Sequence, residues 1–140
     1  MTTDSATIRG RAKPAIVLTA EDYQRLSTLA QAARRRMPDL AEELADEIER
    51  AGVLAKGQHP RDIVCMNSEV TFRDEKTGRV QSVTLVYPEH ADISQGRISV
   101  LTPVGTALIG LQIGHAMTWE PPNGEVRQLT VLSVREPRAA

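Results

Sequence analysis

The run Ile98-Ser-Val-Leu-Thr-Pro-Val-Gly-Thr-Ala-Leu-Ile-Gly-Leu-Gln-Ile-Gly114 spells a buried strand, a capped short helix and a turn with no linker between them. Ile98 to Leu101 is apolar and short, as a core strand is. Thr102 supplies a hydroxyl for the open N–H groups of a helix start, and Pro103 follows at the position where a missing N–H costs nothing. Gly110 ends the helix. A chain that turns this sharply from strand into helix is committed to a compact α+β core.

Upstream the apolar period is helical. Thr19 followed by Asp22 resembles a capping box ahead of Tyr23, Leu26, Leu29 and Ala33, so the spacing predicts a helix from about Ala20 to Arg35. Met37-Pro38-Asp39 interrupts it, because proline breaks the hydrogen-bond ladder. A second helix carries Leu40, Leu44 and Ile48 at i, i+4 and i+8 and stops at Gly52. Two helices joined so briefly must lie antiparallel.

Ala55 to Arg61 has linker composition, and beyond it the period changes to two. Val70 and Phe72 mark one strand, Asp74 to Gly78 a turn, and Val83, Leu85 and Tyr87 a second strand. Pro88 to Gly96 is a polar loop. Met117 and Trp119 lie on a further strand, and Pro121-Pro-Asn-Gly124 turns the chain into Leu129 to Val134. The expected organisation is a flexible arm over 1–14, a short antiparallel coiled-coil hairpin over 15–54, a linker over 55–67, a mostly antiparallel sheet domain with one short helix over 68–136, and a tail over 137–140.

Composition removes several function classes. With 140 residues, 41% hydrophobic and 25% charged, the chain suits one soluble core. No apolar run approaches the roughly 20 residues that cross a bilayer, and residues 1–14 lack the apolar stretch of a signal peptide. A cytoplasmic protein with no membrane partner is expected, and the single cysteine, Cys65, reads as a buried inert thiol. The net charge of −1 gives no general basic surface for nucleic acid.

Catalytic motifs fail on their own chemistry. Gly105 and Gly110 have phosphate-loop spacing, but Leu111 and Gln112 stand where that loop needs Lys and Ser/Thr. His59, His90 and His115 are scattered, so no metal cage is expected. No Gly-x-Ser-x-Gly nucleophile setting occurs. The chain is therefore expected to have no catalytic residue, no bound metal and no cofactor of its own.

Charge is uneven along the sequence. Asp39, Glu42, Glu43, Asp46, Glu47 and Glu49 are opposed only by Arg50 between positions 39 and 50. Asp39, Glu42 and Glu43 are expected in the first turn of the second helix, where the dipole favours acids by roughly 0.3–1 kcal/mol each. Arg34, Arg35 and Arg36 are expected to close the preceding helix for the converse reason. Carboxylates at a hairpin tip also have the oxygen chemistry to share a divalent cation held in another protein's active site.

Several ordered blocks resemble one family. Asp62-Ile-Val-Cys-Met-Asn-Ser68, Val70-Thr-Phe-Arg73, Thr84-Leu-Val-Tyr-Pro88, the run from Ile98 to Gly114 and Met117-Thr-Trp-Glu-Pro-Pro122 are similar to blocks of the regulators of nucleoside diphosphate kinase, relatives of the Gre transcript-cleavage factors. The resemblance covers the chain from about Pro14 onward. It implies an FKBP-like C-terminal domain that docks on RNA polymerase near the secondary channel, through a surface matched here by Thr102, Pro103 and Val104. Asp39-Leu-Ala-Glu42 looks like the Asp-Leu-Ser-Glu tip of Gre hairpins, whose acids assist the polymerase's catalytic magnesium.

Arms of about 16 and 13 residues span only roughly 24 and 20 Å, shorter than Gre arms. The resemblance therefore implies a non-enzymatic polymerase-binding regulator, placed near nucleic acid but touching polymerase magnesium only if the hairpin reaches. A working cleavage factor is the alternative. A peptidyl-prolyl isomerase is the alternative from another class, and the few aromatic residues argue against its pocket. A link to nucleoside diphosphate kinase is expected to be indirect.

Overall fold

The computed structural model describes residues 15–55, 62–119 and 125–135, with the Trp119 side chain excepted. The expected arm over 1–14, His59, most of the expected linker, the Pro121 to Gly124 turn and the tail lie outside the described residues.

Strand β1 (Val17–Leu18) leads into helix α1 (Ala20–Ala32), helix α2 (Pro38–Arg50) and strand β2 (Gly52–Val53). The helices pack on one another through Leu26 and Ala30 of α1 and Ala41, Leu44 and Ile48 of α2, all buried. Thr19 caps α1, its hydroxyl accepting the Asp22 N–H at 3.0 Å. Two boundaries differ from the sequence expectation. Helix α1 ends at Ala32 rather than Arg35, and Pro38 is the first residue of α2, the place where proline's fixed φ suits a helix start.

The hairpin's two ends are tied together. Strands β1 and β2 pair in parallel, Val17 with Gly52 and Leu18 with Val53. Both strands are too short to be read from periodicity.

The sheet domain comprises β3 (Glu69–Asp74), β4 (Val80–Val86), β5 (Arg97–Ser99), helix α3 (Pro103–Leu108), β6 (Ala116–Trp119) and β7 (Arg127–Arg135). Its five strands run β5-β4-β3-β7-β6 across the sheet. All pairs are antiparallel except β4 with β5. The parallel pair needs a crossover, and residues 88–96 supply it with two 3-10 turns, Pro88–His90 and Ile93–Gln95. Leu101 lies beyond β5, and Tyr87 just beyond β4.

One apolar core joins hairpin and sheet: Ile16, Leu18, Leu26 and Leu44 belong to the same cluster as Val70, Leu85, Leu108 and Leu129. Val64 and Met66, within residues 62–67, are buried there too. The architecture is thus the expected α+β one, a short antiparallel helical hairpin before a mostly antiparallel sheet that carries one short helix.

Candidate functional site

Three places carry the side chains that could serve a function, and each follows from its local sequence. The first is the corner at Thr102. The Thr102 hydroxyl donates to the Ser99 carbonyl at 2.8 Å and accepts the Gly105 N–H at 3.0 Å. The Thr106 hydroxyl closes back onto the carbonyls of Thr102 and Pro103, at 3.1 Å each. A Cβ on residue 105 would fall 2.4 Å from the Ser99 carbonyl oxygen and 2.8 Å from Val100 Cα, so the corner closes only around glycine.

Thr102, Pro103 and Val104 are left half-buried at the surface of this rigid turn, with Val104 resting on the core. Such a corner keeps its shape when a partner docks. The sequence signal for the close approach is a glycine inside a short helix, where glycine is otherwise disfavoured.

The second place is the hairpin tip. Arg34, Arg35 and Arg36 lie in the turn after α1, all exposed, and the last turn of α1 contains no basic residue. The expectation that they close that helix is corrected by its earlier end. Asp39 stands in the first turn of α2. Glu42 and Glu43 do not, because the helix begins at Pro38; they fall in the second turn, exposed. The dipole therefore favours Asp39 most, since its effect fades beyond the first turn.

The third place, absent from the sequence reading, is the seat between hairpin and sheet. The Met66 N–H donates to Asp22 Oδ2 at 3.0 Å. One turn along α1, the Arg25 guanidinium lies 4.1 Å from the centroid of the Tyr87 ring, a cation–π geometry. Burial pushes the Asp22 carboxyl above its ordinary value, and the Met66 hydrogen bond only partly offsets this. Burial and then the nearby Asp22 charge push the Tyr87 hydroxyl upward as well, with a minor contribution from a hydrogen bond to the Asp22 side chain, and among the described residues the buried hydroxyl meets no partner in good hydrogen-bond geometry. No short-range sequence pattern pairs Asp22 with Met66.

Among the described residues no group of three or more His, Cys, Asp or Glu is placed to hold a metal. Cys65 is half-buried. Phe72 and Tyr87 are buried in the core. No described helix is long and apolar enough to cross a membrane.

The family described as "Transcription elongation factor, GreA/GreB, C-term" matches residues 59–136, and the one described as "Rnk N-terminus" matches residues 14–54. The regulator of nucleoside diphosphate kinase of Escherichia coli (strain K12) is 36% identical over 129 residues, covering 91% of this chain and 95% of that protein. The chain belongs to this Rnk-type group of the GreA/GreB family. Transcription elongation factor GreA of Syntrophobacter fumaroxidans is 44% identical over 68 residues, which cover 49% of this chain and 43% of that protein.

A solved structure of a prokaryotic transcription elongation factor GreA/GreB from Nitrosomonas europaea superposes with a TM-score of 0.69 at 36% identity. It covers 89% of this chain and all of that one. Membership in this group places the chain among transcription elongation factor-like regulators.

Proposed function

We propose that this protein binds RNA polymerase through the Thr102-Pro103-Val104 corner, near the secondary channel, and inserts a hairpin too short to stimulate transcript cleavage. The domain division that serves this is a hairpin over 15–54 and a docking domain over 68–136. The observation that carries the reading is the length of the arms: α1 and α2 have 13 residues each, about 20 Å at 1.5 Å per residue. Carboxylates that stop short of a metal neither position it nor stabilise charge on its substrate. The protein would then occupy the channel entrance and exclude a cleavage factor without replacing it.

Exposure of Asp39, Glu42 and Glu43 at the tip favours the second reading, an active cleavage factor. A pull-down with core polymerase, paired with a cleavage assay on backtracked complexes, separates the two. The intact protein should bind without stimulating cleavage. Pro103→Ala should weaken binding, and the Asp39→Ala/Glu42→Ala double variant should largely spare it. Robust cleavage that depends on Asp39 would establish the second reading, and undiminished binding by Pro103→Ala would remove the corner from the interface.

A further inference from the structure

Backbone bonds at the base, a shared apolar core and polar contacts along α1 hold the hairpin to the sheet domain, and they constrain different motions. At the base, the Gly52 N–H donates to the Ile16 carbonyl at 2.9 Å, closing the hairpin's own ends, and the Val17 N–H donates to the Gly110 carbonyl at 3.2 Å, tying them to the sheet domain. These bonds cluster where the chain enters and leaves the hairpin, so they fix a pivot. Apolar packing of Leu26, Leu44 and Ile48 in the shared core limits large tilts about that pivot, and polar contacts along α1 select among the small ones. The Asp22–Met66 hydrogen bond and the Arg25–Tyr87 stack are such contacts, lying in the first and second turns of α1.

We propose that Asp22, Arg25 and Tyr87 form a lock that sets the angle at which the hairpin leaves the sheet domain, and are positioning residues for the tip. A tilt of about 10° at the base would carry the end of a roughly 20 Å arm sideways by about 3.5 Å, more than a positioned tip tolerates. Polar contacts of this kind add little to stability after desolvation, and their value is directional. Asp22 illustrates this: its carboxylate is kept half-buried at a cost, yet its acceptor is aimed at one backbone N–H of residue 66. Arg25 is exposed, so holding its side chain over one ring restricts rotamers that water would leave free.

The lock is tested first in the free full-length protein, with Cys65→Ala as background and spin labels on cysteines placed at Ala32 and Gln81, both exposed. The parent should give one narrow distance distribution. Tyr87→Phe, which keeps the ring, and Asp22→Asn, which keeps the acceptor, should match it. The Asp22→Ala/Arg25→Ala variant should melt cooperatively yet broaden the distribution by about twofold or more. An unchanged width in that variant would overturn the lock.

A second measurement rests on the proposed polymerase reading. With a photo-crosslinker replacing the exposed Met37, the double variant should keep its polymerase Kd within about twofold while its discrete tip crosslinks scatter. Preserved discrete crosslinks would overturn the positioning role. If the parent fails to bind polymerase, the proposed function falls, and the distance measurement still decides the lock.

Discussion

Position 105 has no room for a side chain, because the atoms facing its missing Cβ are the Ser99 carbonyl oxygen and Val100 Cα, backbone that cannot rotate away. Alanine would improve helix propensity by about 1 kcal/mol, but overpacking of this kind costs about 1–3 kcal/mol, and at 2.4 Å the clash wins. Gly105→Ala should therefore lower the denaturant midpoint, whereas Pro103→Ala should leave it nearly unchanged while weakening polymerase binding. Asp22 gives a prediction with a pH signature. Its carboxyl is raised in the folded state, mainly by burial, so the folded protein binds the proton more tightly than the unfolded chain does. Stability contributed at this site is present at low pH and declines as pH rises from the ordinary carboxyl value of 3.8 through the folded one. Asp22→Asn should thus equal or exceed the parent in stability at neutral pH and lose that advantage near the acid end of the titration. Asp22→Ala, which strands the Met66 N–H, should cost about 1–3 kcal/mol, and paired denaturant titrations across pH check both.

At the scale of elements, length is the variable that the proposed function turns on. Adding seven residues to each arm, in register with the buried positions of α1 and α2, would lengthen the hairpin by about 10 Å and keep its apolar seam facing inward. Such a variant should gain cleavage of backtracked RNA that disappears with Asp39→Ala, and a lengthened hairpin that binds but never cleaves would show that reach is not what is missing. The short hairpin itself was legible, because Leu26, Leu44 and Ile48 keep helical spacing and Pro38 marks the break. So was the Thr102 corner, since a cap hydroxyl followed by proline has few other uses. The end of α1 was not legible, as arginines are good helix formers and nothing before Pro38 forces termination at Ala32. The parallel pairing of β4 with β5 was hidden for another reason: a short strand after a polar loop has the same local pattern in either direction. Asp22 read only as a capping residue, because its second partner lies 44 residues away and contacts of that range leave no periodic trace.

For the molecule as a whole, the decisive fact is that hairpin and sheet share one core. Ile16 is the clearest link: it is 1% exposed, precedes both helices of the hairpin, and packs where Gly110 ends the turn after α3, so closely that a Cβ on Gly110 would lie 2.8 Å from the Ile16 Cβ. Residues from the start of the described chain and from the middle of the sheet domain therefore bury one another, and neither part keeps a dry surface alone. A hairpin of two 13-residue helices is also near the length at which isolated helices are marginal in water. The expected consequence is a single unfolding transition. Helical circular dichroism and calorimetry should report the same midpoint, with van't Hoff and calorimetric enthalpies in agreement. Ile16→Ala should lower stability by about 2–5 kcal/mol and shift both signals together. If instead the helical signal melted first and left the heat of the sheet domain intact, the hairpin would be an independent appendage, and its direction could not be inherited from the docking domain.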